Sequence, residues 1–159
     1  MIKYITLAIS AASVLMLELA LIRIYSITQG YHFAFFSISI AMLGSGTSGI
    51  IVYLISHKIK NWNNFIIISS FCYTFSLPFM IAMIKIIPFD IYKISIDPLI
   101  LVYFITFCFV QLIPFILSGL IFSGAIYHWR SNLPMIYASL LVGSGIGAIL
   151  GIIPYFHFA

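Results

Sequence analysis

The chain has 159 residues, of which 64% belong to the apolar set and 6% are charged, and its formal net charge is +4. A water-soluble domain of this length needs charge on about a quarter of its residues; the charged residues here, Lys3, Glu18, Arg23, Lys58, Lys60, Lys85, Asp90, Lys93, Asp97 and Arg130, are too few to cover a water-facing globule. The basic residues are scattered between apolar runs and form no stripe, which excludes a nucleic-acid surface and makes the lipid bilayer the expected partner of the exterior.

About 20 consecutive apolar residues are needed to cross the hydrocarbon core of a bilayer. The first such run covers Tyr4 to Ser26. Lys3 ahead of an apolar stretch has the outline of a signal peptide, but no small-x-small cleavage site precedes a polar mature region, so a retained first helix is expected. Thr28-Gln29-Gly30 ends it, with Gly30 able to take the positive φ of a tight turn. The second run covers His32 to Ser56. His57 to Asn64 (HKIKNWNN) reads as a water-exposed loop with Trp62 at the interface.

The third run covers Phe65 to Ile86. Pro88 to Pro98 carries Asp90, Lys93 and Asp97, and its IYKISI stretch can lie along the interface. The fourth run, Leu99 to Tyr127, contains Pro114, which removes a backbone donor and is expected to kink the helix as a static packing feature. His128 to Pro134 (HWRSNLP) repeats the pattern of the second loop, with Trp129 at headgroup depth beside Arg130, and the fifth run covers Pro134 to Tyr155. The expected fold is all-α: a polytopic membrane helix bundle of about five transmembrane helices, forming a single transmembrane domain over residues 1–159.

Basic residues in short loops favour the inner side of a membrane. With the amino terminus inside, that side collects Lys3, Lys58, Lys60 and Arg130, against Lys85, Lys93 and Arg23 outside, where both loop aspartates also fall. Cys72 and Cys108 lie in apolar runs without ligand spacing and are expected to be buried thiols packed as small hydrophobes.

Glu18 and Arg23 form the candidate intramembrane polar site, because ionisable groups inside a span are costly and face a protein interior or polar cavity. Five residues is about 140° around a helix, so they do not share a face. Arg23, near the end of its span, can reach the headgroups; Glu18, deeper, needs a donor from another helix or must carry a proton. A proton or cation site is the functional reading, and a polar clamp between helices the structural one.

Small residues supply the second signal. Ala41, Ser45 and Gly49 recur every fourth residue in the second run, as do Gly143, Gly147 and Gly151 in the fifth. Such ridges let helix backbones approach closely; the facing helix is either another of this chain, one of a second copy in a homo-oligomer, or one of a separate subunit. Gly44-Ser45-Gly46-Thr47-Ser48-Gly49 matches GxGxxG in form, but a dinucleotide site requires a preceding strand, so this reading is rejected. His32, His57, His128 and His157 sit at span ends or in loops, where amphipathic histidines are ordinary, and are not assigned to haem. No catalytic triad, paired carboxylates or HExxH is present, and no cofactor or metal is expected.

The stretch Leu17-Glu18-Leu19-Ala20-Leu21-Ile22-Arg23-Ile24-Tyr25-Ser26, then Tyr31-His32-Phe33-Ala34-Phe35 and Ala41-Met42-Leu43-Gly44-Ser45-Gly46, resembles the amino-terminal membrane region of spermidine synthase-like membrane proteins. Ile136 to Ala148 resembles that family's Tyr-Ala-x-Asp-Leu-x-Gly segment, with Leu140 where the family has Asp. Longer members continue into a soluble Rossmann-like domain of aminopropyltransferase type. The resemblance therefore implies a membrane part without the catalytic machinery, and no enzymatic activity is carried over. The expected function is a non-enzymatic, multi-pass membrane domain in the cell membrane, of bacterial inner-membrane type, with any catalytic domain on another chain. The alternative is a small carrier or channel subunit that uses Glu18 as its coupling residue.

Overall fold

The computed structural model describes residues 2–28, 30–86 and 98–157. They form five α-helices: α1 (Ile2–Thr28), α2 (Tyr31–Ile55), α3 (Trp62–Ile86), α4 (Pro98–His128) and α5 (Leu133–His157), with a 3-10 turn (Arg130–Asn132) before α5. No strand occurs among the described residues. The fold is thus all-α, with five long apolar helices, each reaching a few residues past the expected apolar run or ending within one of it. At 1.5 Å per residue, helices of 25 to 31 residues are roughly 37 to 46 Å long. That exceeds the ~30 Å hydrocarbon core and leaves their ends at headgroup depth.

Local chemistry sets the breaks. Gly30 has φ 91°, the left-handed conformation that a residue without Cβ adopts freely, and its carbonyl accepts from the Phe33 amide at 3.0 Å as α2 begins. After α2, the Lys58 amide donates to Ile55 O at 2.8 Å. Trp62, expected in the loop, opens α3 instead, its ring edge-on to Phe65 at 5.9 Å. The Trp129 amide closes α4 on Ala125 O, and the Asn132 amide donates to Trp129 O at 2.9 Å in the 3-10 turn. α3 and α4 run on through Pro78 and Pro114. The expected interfacial stretch with Asp90, Lys93 and Asp97 lies outside the described residues.

Burial departs from the pattern of a soluble domain. Phe71, Phe75 and Phe79 line the outer side of α3, and Phe75 and Leu141 are each 72% exposed, while Ser37, Ser48, Ser69, Ser76, Gln111 and Ser118 are buried. Large apolar side chains facing outward along whole helices are solvated by acyl chains, not by water.

Contacts divide the chain into two compact units. The first comprises Met1–Ile38 and Ile121–Ala159; the second is Ser39–Leu120. In the first, α1 packs on α5, and α1 buries Leu7, Ala11, Leu21 and Tyr25. In the second, α3 buries Ser69, Tyr73, Ser76 and Met80 along one stripe, and α4 buries Phe107, Val110, Gln111, Pro114, Phe115 and Ser118.

Candidate intramembrane polar site and helix-packing ridges

Glu18 lies past the middle of α1 and is half-buried. It stands seven residues after Ala11 and three before Leu21, on the same side of α1 as the buried stripe of Leu7, Ala11, Leu21 and Tyr25. Arg23 is exposed. The two residues are not brought together: among the described residues Glu18 makes no ion pair and no hydrogen bond.

The ridge of Gly143, Gly147 and Gly151 faces α1. A Cβ on Gly143 would collide with the carbonyl oxygen, carbonyl carbon and Cα of Ala8, and one on Gly147 would meet the same atoms of Ala12 at 2.5 to 2.9 Å. Gly151 is looser, with Leu19 Cδ1 at 3.0 Å and Met16 Cα at 3.7 Å. As α5 advances from 143 to 147 to 151, its neighbours on α1 advance from 8 to 12 to 16, so the helices run parallel with backbone against backbone.

A second parallel contact joins α2 to α4 within the second unit. A Cβ on Gly44 would meet Phe115 Cβ at 2.6 Å and Ile116 N at 3.1 Å, while one on Gly119 would collide with the Ser48 hydroxyl and come within 3.1 Å of Ser45 Cα. Of the expected Ala41, Ser45, Gly49 ridge, Ala41 is buried, whereas the side chain of Ser45 and Gly49 are exposed. The close approach runs over Gly44 and Ser48, one step round the helix. Here the sequence reading missed Gly119, a lone glycine in α4 whose role depends on the neighbour it meets.

Hydroxyls inside the spans are satisfied mainly by their own helix. Thr6 donates to Ile2 O, Ser10 to Thr6 O, Ser48 to Ser45 O at 2.6 Å, Ser76 to Tyr73 O and Ser118 to Phe115 O. Such back-bonding lets Ser and Thr stay in hydrocarbon without reaching another helix. Ser37 and Gln111 depart from it. Both are fully buried, and neither the Ser37 hydroxyl nor either end of the Gln111 carboxamide has a hydrogen-bond partner among the described residues. Gln111 also escaped the sequence reading, although an amide three residues before Pro114 in an otherwise apolar run was a usable signal.

His57 and His128 are exposed, the latter tilted against Trp129 at 5.5 Å; the side chains of His32 and His157 lie outside the described set. The cysteines, expected to be buried, are not: Cys72 is exposed on the outer side of α3 and Cys108 partly so on α4. No group of three or more His, Cys, Asp or Glu gathers among the described residues.

Five helices long and apolar enough to cross a membrane, with lipid-suited outer faces, define the class: a multi-pass, all-α membrane protein. Compared with known protein families, curated proteins and solved structures, the chain finds no match.

Proposed function

We propose that the chain is a non-enzymatic domain of the cell membrane, of bacterial inner-membrane type, related to the amino-terminal membrane region of spermidine synthase-like proteins. In this reading its helices form a fixed framework that holds Glu18 inside the bilayer. The supporting observation is the contact of Gly143 and Gly147 with the Ala8 and Ala12 backbones. Where backbone meets backbone, no side chain can rotate to open a path between the helices, and tightly packed contacts of this kind favour a static role.

The test is transport. Reconstituted in sealed vesicles, the chain is expected to pass protons and monovalent cations no faster than empty vesicles, with Glu18→Gln the same as wild type. A second reading, a carrier or channel subunit, is favoured by one feature: the Glu18 carboxyl, half-buried and without a partner among the described residues, is the sort of group that couples to an ion. Wild-type flux abolished by Glu18→Gln would transfer the assignment to it. The kinship has a separate test. An experimental structure of a spermidine synthase-like membrane region should have its first and fifth helices parallel and in contact, and an antiparallel or separated pair would remove the relationship.

A further inference from the structure

Lys3 stands in the first turn of α1, and Arg130 opens the 3-10 turn that leads into α5. The fold of the first unit brings these distant stretches together. The Lys3 ammonium lies 4.9 Å from the centre of the Trp129 ring and 5.1 Å from that of Tyr4, and the Arg130 guanidinium lies 4.4 Å from the centre of Tyr127. Lys3 rests on Trp129, the residue before Arg130, so both cations belong to the same end of the first unit. Each sits against an aromatic face, which restrains its position without cancelling its charge.

Nothing acidic among the described residues offsets them. The acids of the chain are Glu18, Asp90 and Asp97. Glu18 is fifteen residues along α1 from Lys3, roughly 22 Å at 1.5 Å per residue and beyond a Debye length of ~8 Å; the two aspartates lie outside the described set. Trp129, Tyr4 and Tyr127 mark the depth of the cluster as the aromatic belt at the membrane surface. The exposed Ser131 and Asn132 on the same turn add neutral hydrogen-bonding groups.

We propose that Lys3 and Arg130 form a binding site for the phosphate of an anionic membrane lipid. A guanidinium fork and an ammonium match phosphate oxygens. An anionic headgroup suits the pair better than a zwitterionic one, whose own cation would be repelled. The proposal rests on the membrane reading of the chain and adds a lipid class to it.

The full chain, purified in neutral detergent, is melted with added phosphatidylglycerol, phosphatidylcholine or inorganic phosphate, and retained lipid is counted by native mass spectrometry. Phosphatidylglycerol is expected to raise the melting midpoint and to be retained. Phosphatidylcholine and inorganic phosphate should do neither, and Lys3→Gln/Arg130→Gln should bind phosphatidylglycerol on the order of tenfold more weakly. If the double variant melts lower in detergent alone, the charge-conserving Lys3→Arg/Arg130→Lys chain decides: a retained response supports the site, and a lost one overturns it. An equal response to inorganic phosphate, or equal retention by wild type and the glutamine variant, also overturns it. Failure of the membrane reading would appear separately, as a monodisperse protein in detergent-free buffer.

Discussion

Gly145 and Gly147 are two residues apart on one helix, yet their surroundings differ completely. A Cβ on Gly145 would meet nothing within 4 Å, whereas one on Gly147 would meet the Ala12 backbone at 2.5 to 2.9 Å. A backbone atom cannot move aside as a side chain can, so Gly143→Ala and Gly147→Ala are each expected to destabilise by about 1–3 kcal/mol. Gly145→Ala and Gly46→Ala, both in open space, should fall within about 0.5 kcal/mol of wild type. Melting curves in one detergent check this, and equal effects at 145 and 147 would refute the α1–α5 contact. Gln111 gives the opposite expectation. A fully buried carboxamide with neither end bonded among the described residues costs about 1–3 kcal/mol, so Gln111→Leu, similar in volume, should raise stability by a comparable amount. A fall in stability would reveal a hydrogen-bond partner in the membrane.

At the scale of the helix, the ridge on α5 was legible in the sequence and the one on α2 was less so, for a geometric reason. On α5 three successive members of one four-residue series, Gly143, Gly147 and Gly151, are glycine, so one face stands out whatever the neighbour. On α2, Ala41-Ser45-Gly49 and Gly44-Ser48 are both small-residue series on adjoining faces. The series that meets α4 is selected by Phe115 Cβ, which fills the space beside Gly44, and by Gly119, which admits Ser48. Gly119→Leu should therefore weaken α2–α4 association more than Gly49→Leu, whose site is exposed. Crosslinking yield between cysteines placed in α2 and α4 of the second unit measures this, and equal losses would refute the Gly44–Ser48 register. Pro114, expected to kink α4, is accommodated within one continuous helix on its buried face.

At the scale of the molecule, the two parallel contacts bear on topology. α1 and α5 run parallel in the first unit, and α2 and α4 run parallel in the second, which fits helices that cross alternately with an even number of passages between like-directed partners. With Cys72 and Cys108 replaced, a cysteine at Lys58 and one at Ser131 should react with an impermeant maleimide from the same side of the membrane, and one at Gly30 from the other. From the basic residues of the short loops, the first side is expected to be the inner one. Labelling of 58 and 131 from opposite sides would refute the alternating arrangement.

What the amino-acid sequence determined by itself was the class and the spans, because a backbone in hydrocarbon must bond to itself and a run of some 20 apolar residues leaves it only a helix to form. It also marked Glu18 and the glycine series of α5, since an acid or a repeated gap in a greasy run is conspicuous without any neighbour. The tertiary structure alone decided which ridge of α2 is used, that Gln111 is enclosed, and that Lys3 meets Trp129 beside Arg130. Each of these depends on the rotation and depth of one helix against another, and in lipid, where nearly every face is apolar, hydrophobic patterning does not specify that rotation.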